Sequence, residues 1–295
     1  MDRDSSLETP AIGRCGSVRR DCVRTSVKLD FKAWRDDNCL RITVGKRVAG
    51  DLASEPTNGM GLSGLAQIIS ESPEVADAYD ALFSAVRLAR PLASGNSILV
   101  TSTEPGEGKT TVSSCLAITA SLAGQTALLI DGDLRRSSLA AAVGSTDTVG
   151  LIEILLGQVE AAEAIRPVTA LADSPRAGVI SFMAGGRKPP IFLGAIDWAK
   201  ARTAFQSFSH AFGIAIMDSP PILAANDALL FASIVDAVLL VVGTGNANLD
   251  EIRRAKEQLD AVGTPIIGAV LNRFEPKVHG RSNQPYRGYY RRSRT

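Results

Sequence analysis

Nine consecutive residues, Thr103-Glu104-Pro105-Gly106-Glu107-Gly108-Lys109-Thr110-Thr111, carry the groups needed to grip a phosphate. Glycines let backbone N–H groups turn inward around an anion, and a helix starting directly afterwards adds the partial positive charge of its N-terminus. A lysine here reaches the β- and γ-phosphates of a nucleotide, and the hydroxyl that follows it holds Mg²⁺. Gly106, Glu107, Gly108, Lys109, Thr110 and Thr111 are therefore candidate ATP-binding residues, with Thr110 a candidate metal ligand. The stretch departs from G-x-x-x-x-G-K-[ST] at one position, where Thr103 replaces the first glycine.

Carboxylates recur at matching places further on. Leu128-Leu129-Ile130-Asp131-Gly132-Asp133 ends one apolar run on two acids, and Ile214-Ala215-Ile216-Met217-Asp218 ends a later run on a third. An aspartate after a buried strand commonly caps the next helix. Three of them beside a phosphate loop point instead to Mg²⁺ and proton chemistry, because the strand ends of an open parallel sheet face one crevice. Mg²⁺ keeps several waters and takes one or two carboxylates, which suits Asp131 and Asp218. Lys109, Asp131, Asp133 and Asp218 are the candidate catalytic set, with one carboxylate left to take a proton from an attacking hydroxyl.

The elements that must position these groups follow from hydrophobic patterning. Continuous apolar runs predict strands over 97–101, 126–130, 179–183, 213–217, 236–242 and 265–271, each suited to a strand covered on both faces. Helical patterns between them span 110–122, 151–156, 196–208, 226–234 and 248–259, with Asn248 or Asp250 placed to cap the last and Gly263 to end it. Such alternation gives an α/β fold, a mostly parallel sheet with helices on both faces, and the phosphate loop between its first strong strand and the next helix marks the P-loop NTPase type. Residues 1–75 mix clustered charge with Gly, Ser and Pro and are expected to be a poorly ordered extension. Residues 76–272 form the expected ATP-binding domain, and 273–295 a flexible basic tail.

Three motifs in order, Glu104 to Thr111, Leu129 to Arg136 and Met217-Asp218-Ser219-Pro220-Pro221, resemble the Walker A, Walker A′ and Walker B motifs of the bacterial tyrosine kinases of capsule and exopolysaccharide synthesis. The resemblance covers about residues 75–295. It implies a P-loop protein-tyrosine autokinase using ATP and Mg²⁺, with a cluster of C-terminal tyrosines as acceptor, phosphorylated in trans. It also gives Asn272 a base-contacting role, and Asp227 the place of a family acid. Asp131 or Asp133 would orient or deprotonate the phenol. Composition bears on the acceptor independently: of four tyrosines, Tyr286, Tyr289 and Tyr290 lie in the last ten residues, where even scattering would put well under one. The family's E-x-x-R-x-x-R pattern is unmatched over Asp77 to Phe83, with Arg87 and Arg90 further on, and its Pro-Pro-Asn-Pro segment is reduced to Lys188-Pro189-Pro190-Ile191.

The implied partners are a membrane polysaccharide co-polymerase acting as activator, other copies of the chain, and protein substrates. Lys and Arg number 32 against 31 Asp and Glu, a net charge of +1, so no overall field favours nucleic acid. The alternating Arg and Tyr of the tail could stack bases; delivery of a phenol to a γ-phosphate uses the same residues differently. The four cysteines form no CxxC pair, and no apolar stretch resembles a secretory signal or a span, so a cytoplasmic setting is expected, with recruitment to the plasma membrane through a partner. Two other readings share the fold: a ParA/MinD-like ATPase switch, whose early lysine is replaced here by Glu104, and a non-catalytic ATP-binding adaptor.

Overall fold

Strands that are apolar on both faces can be stable only with a layer on each side, and the chain supplies both layers. The computed structural model describes residues 40–45, 61–89, 97–168, 179–187, 193, 196–243 and 248–274, all within the unit spanning 36–295. The described strands are β1 (Leu40–Gly45), β2 (Ser97–Ser102), β3 (Ala127–Asp131), β4 (Ile165–Val168), β5 (Ile180–Met183), β6 (Ile214–Asp218), β7 (Ala237–Gly243) and β8 (Ile266–Phe274). They form one sheet in the order β1-β8-β7-β2-β6-β3-β5-β4. Every pair is parallel except β4 with β5, which is antiparallel at one edge.

The described helices are α1 (Leu62–Glu71), α2 (Pro73–Ala89), α3 (Lys109–Leu122), α4 (Ser138–Val143), α5 (Leu151–Leu155), α6 (Ala161–Ala164), α7 (Trp198–Ser209), α8 (Asp227–Ala232) and α9 (Leu249–Val262). Alternate strand residues face opposite layers. Ile98, Val100, Ala127 and Leu129 pack into a core with α1, α2 and α3. Leu99, Leu128 and Ile130 pack into a second core with α5, α7, α8 and α9. Residues 112–121 of α3 are buried all round, because the helix lies between the sheet and the α1–α2 pair. Full burial of Leu116 and Ile118 contributes about 1.5–3 kcal/mol each. That packing fixes the start of α3, and with it the phosphate loop.

Each of the six strands read from the sequence is found, with boundaries displaced by a residue or two and β8 running three residues further. The caps of α9 are Asn248, whose side chain accepts from Asp250 N, and Gly263 in the left-handed region (φ 82°). The stretch 1–75 differs from its expected disorder where it is described. β1 adds to the sheet beside β8, and α1 buries Leu62, Leu65, Ala66 and Ile69, spaced three or four apart on one helical face. The helix α2 begins at Pro73, so the boundary placed at residue 75 falls inside it. Three further elements, β4, α4 and α6, lie where no element is predicted; β4 carries Pro167 at the sheet edge, a place where the missing N–H of proline is tolerated. The predicted tail lies outside the described residues from 275 onward, and Tyr286, Tyr289 and Tyr290 with it.

Candidate nucleotide site

The loop between β2 and α3 is shaped by two glycines in left-handed conformations, Gly106 (φ 81°) and Gly108 (φ 92°). Gly108 has a second constraint: a Cβ there would stand 2.1 Å from Asn272 Nδ2. Lys109 opens α3, half-buried, and Thr110 and Thr111 complete its first turn. Glu107 is 8% exposed, and its carboxylate turns into the loop. Oε2 accepts from the Thr103 hydroxyl at 2.8 Å and from Glu104 N at 2.9 Å, and Oε1 accepts from Gly243 N at the end of β7 at 2.9 Å. Thr103, in the place of the usual first glycine, thus uses its hydroxyl to hold Glu107.

Asp131 and Asp218 sit opposite each other in the β3–β6 register. Gly132 N donates to Asp218 O at 2.7 Å, and a Cβ at Gly132 would approach that oxygen to 2.8 Å, so only glycine fits between the two acids. Asp218 accepts from the Thr110 hydroxyl at 2.6 Å and from the Ser113 hydroxyl at 3.2 Å. Thr110 and Ser113 are three residues apart, on the face of α3 that meets β6. Asp131 accepts from the Ser137 hydroxyl, from Asp133 N at 3.1 Å and from Ala140 N at 3.2 Å. Asp133 is nearly buried, and its carboxylate accepts from Arg136 N at 3.0 Å. The structure thus brings Lys109 and Thr110 at the start of α3 together with Asp131, Asp133 and Asp218 at the ends of β3 and β6.

Burial governs the protonation of the two central acids. It pushes the Asp131 carboxyl up to about 6, against the downward pull of the Ser137, Ala140 and Asp133 hydrogen bonds. It pushes Asp218 up to about 7, opposed by the Lys109 charge and the Thr110 hydroxyl and reinforced by the charges of Asp131 and Asp133. Among the described residues no group of three or more His, Cys, Asp and Glu converges as a metal site. The donors that do converge, a threonine hydroxyl and one or two carboxylates, are all hard oxygens and fit Mg²⁺.

Several contributors had no signal in spacing alone. Glu107 braces the loop through backbone partners in Glu104 and Gly243. Ser113 and Ser137 orient Asp218 and Asp131; Ser113 could have been found from its position one turn after Thr110. Asp227 pairs with Arg135 Nε at 3.1 Å at the rim of the crevice. Asn272, from β8, donates from Nδ2 to Glu107 O at 2.8 Å. Cys115 is buried in α3 beside Tyr79, its thiol pushed up to about 12 by burial, which suits packing and not nucleophilic or metal chemistry.

A phosphate loop after the first central strand, followed by acids at the ends of two neighbouring strands, defines a nucleotide-binding P-loop domain. Residues 98–288 match the CobQ/CobB/MinD/ParA nucleotide binding domain. The chain is 30% identical over 196 residues to tyrosine-protein kinase YwqD of Bacillus subtilis, covering 66% of this chain and 77% of that one. Its fold is similar to the kinase domain of Escherichia coli tyrosine kinase ETK, with a TM-score of 0.67 at 24% identity over 83% of this chain and 93% of that one. It is also similar to the chimerical protein CapA2B2, with a TM-score of 0.59 at 26% identity over 79% of this chain and all of the other. The chain belongs to the CobQ/CobB/MinD/ParA nucleotide-binding family and, within it, to the bacterial tyrosine kinases.

Proposed function

We propose that this domain is an ATP-dependent protein-tyrosine autokinase of bacterial capsule or exopolysaccharide synthesis, with Tyr286, Tyr289 and Tyr290 as acceptors. One observation carries the reading. The strand that runs beside the phosphate loop, with Asn272 bonded to Glu107, is also the strand from which the tyrosine-bearing tail continues.

The chain's own groups account for the chemistry. Backbone N–H groups of the loop and the N-terminus of α3 bind the phosphates. Lys109 neutralises charge on the phosphoryl group as it transfers. Asp218, once ionised, fixes the Thr110 hydroxyl. Asp131 or Asp133 orients the attacking phenol and accepts its proton; the reference pKa near 10 makes a phenol a poor nucleophile until it is so placed. Magnesium, held through Thr110 and Asp218 with Asp131 beside them, would supply further neutralisation of phosphate charge. Each phosphate added to the tail brings about −1.5 to −2 of charge and cancels part of its arginine charge, which separates docked from released tails.

The relatives' kinase names support this reading over the ATPase switch, as does Glu104, which stands where a switch protein carries its early lysine and contributes its backbone N–H to Glu107. The activator is a membrane polysaccharide co-polymerase, and the setting is the cytoplasmic face of the membrane; among the described residues no helix is long and apolar enough to cross a bilayer. The test is incubation of the purified chain with ATP and Mg²⁺, with and without a candidate activator's cytoplasmic segment, followed by mass spectrometry of the C-terminal peptide. Phosphate on the tail tyrosines that disappears in Lys109→Met, with the fold intact, is the expected result. Retained phosphorylation in that variant, or unmodified tyrosines despite bound ATP and activator, would overturn it.

A further inference from the structure

The turn over residues 131–134, which carries Asp131 and Asp133, is gripped on two sides. On the β6 side Gly132 N donates to Asp218 O at 2.7 Å. On the β5 side Gly185 comes so close that a Cβ there would stand 3.0 Å from Asp131 O and 2.8 Å from Leu134 Cδ2. Asp218 still lies within its strand and is held by pairing to β2 and β3. The strand β5 ends at Met183, so residues 184–187 pass the turn beyond the end of the ladder.

The first turn of α5 takes the ladder's place. Leu151 N donates to Ala184 O at 2.9 Å, and Ile152 N to Gly185 O at 3.2 Å. Glu153, 8% exposed, completes the grip: Oε2 accepts from Gly150 N at 2.9 Å, and Oε1 accepts from Arg187 N at 3.0 Å. The first of these bonds is an ordinary capping box and serves the helix. The second reaches 34 positions away and serves the wall. The fit leaves no slack, since a Cβ at Gly186 (φ 96°) would stand 2.1 Å from Glu153 Oε2, and one at Gly150 would stand 2.0 Å from Ala184 O.

We propose that Glu153 is a positioning residue for phosphoryl transfer: it fixes residues 184–187 as the wall against which the turn bearing Asp131 and Asp133 is set, and it has no part in gripping the nucleotide. The inference rests on the kinase reading of the site. The groups that grip the phosphates lie in the β2–α3 loop, and β6 and β3 stand between β2 and β5 in the sheet. A wall free to move lets the two carboxylates drift from the place that receives the phenol, and a misplacement of about 1 Å can cost about 10²-fold in rate.

The test uses the full chain with Mg²⁺, under conditions in which the wild type phosphorylates its tail. Initial rates across ATP concentrations give kcat and KM, and calorimetry gives the affinity for ADP, which has no phosphoryl group to transfer here. In Glu153→Gln both partners of the side chain are N–H donors, so an amide of the same shape must turn its NH₂ against one of them. The expected result is a kcat lower by about 10- to 100-fold, with KM for ATP and the affinity for ADP changed by less than about twofold. A merely structural role would lower the melting temperature and leave kcat intact where the variant is fully folded. Should Glu153→Gln fail to fold, Gly185→Ala carries the same comparison: its φ is not left-handed, so the added methyl acts by pressing on Asp131 O and Leu134. Losses of ADP affinity as large as the loss of kcat would overturn the proposal by placing the wall in the nucleotide grip, and an unchanged kcat would overturn it outright. A wild type that leaves its tail unmodified sinks the kinase reading itself, and is recognised before any substitution is made.

Discussion

Glu107 and Asp218 are both buried carboxylates beside the same phosphate loop, 8% and 1% exposed, yet their partners differ in kind. Glu107 accepts from two backbone N–H groups and one hydroxyl; Asp218 accepts from two side-chain hydroxyls. A backbone N–H can only donate in a fixed direction, so Glu107 is tied into the fold. A hydroxyl rotates and can also accept, so Thr110 can turn from Asp218 toward a ligand, and the buried Ser113 hydroxyl has the Lys109 carbonyl as a second partner at 2.9 Å. The difference separates a brace from a group placed to hold a ligand.

The largest effect that would sharpen the comparison is at Asp218. Asp218→Asn should lower tail phosphorylation by about 10²–10⁴-fold, measured by initial rate of phosphate incorporation. It should at the same time stabilise the protein free of ligand and metal at pH 8. A carboxyl raised from 3.8 to about 7 stays protonated in the fold between about pH 4 and 7, where it would be ionised in the unfolded chain, and at pH 8 it is ionised in both states but buried in the fold. Its contribution to stability is therefore full below about pH 4 and is lost as the pH rises to 7 and beyond. Asp131, raised to about 6, works in the same sense. Denaturant melts without Mg²⁺ should show wild type losing about 2–4 kcal/mol between pH 4 and 8 from Asp218, and the Asn variant losing less. A wild type that grew more stable with pH over this range, with no difference between the two, would break the assignment.

Next in size is Glu107→Gln, of nearly the same shape. Every partner of this carboxylate can donate, so an amide sets an NH₂ group against a backbone N–H whichever way it is turned. The expected loss is about 1–3 kcal/mol of stability at every pH, read from denaturant midpoints. This is opposite in sign to Asp218→Asn at pH 8, and equal signs would erase the distinction between the two acids. The smallest effect is at the rim: Arg135→Ala breaks the pair with Asp227, whose arginine side chain is 66% exposed, and should change stability by about 0–1 kcal/mol. A larger change would move that pair into the working part of the site.

The same contrast explains how far the sequence could be read. Lys109, Thr110, Asp131 and Asp218 were legible because their geometry is local: a glycine-rich turn into a helix, and acids at the ends of strands whose apolar runs announce them. Glu107 was legible only as a letter of the loop. Its bond to Gly243 joins residues 136 positions apart and uses a backbone group that any residue would offer. Asn272 was marked by resemblance and given a base to contact; its bond to the Glu107 carbonyl, 165 positions away, left no sign in the sequence. In the fold, β2, β3, β6 and β7 were visible as unbroken apolar runs flanked by loops. The strand β4, Ile165-Arg166-Pro167-Val168, was not, since an edge strand needs no such run and tolerates proline. The helix α1 was masked by the polar stretch around it, although Leu62, Leu65, Ala66 and Ile69 carry its period.

The placement of Asp131 opposite Asp218 in adjacent strands has a metrological consequence. Their separation is set by the hydrogen-bond spacing of a sheet, about 4.8 Å between neighbouring chains, and not by a loop. Two rungs of a ladder buried on both faces act as a ruler whose graduation does not stretch when ligands come and go. Whatever opening and closing the enzyme performs must therefore occur around this fixed interval, and a side chain longer by one methylene at either rung would be a misprint in the scale that no neighbouring movement corrects.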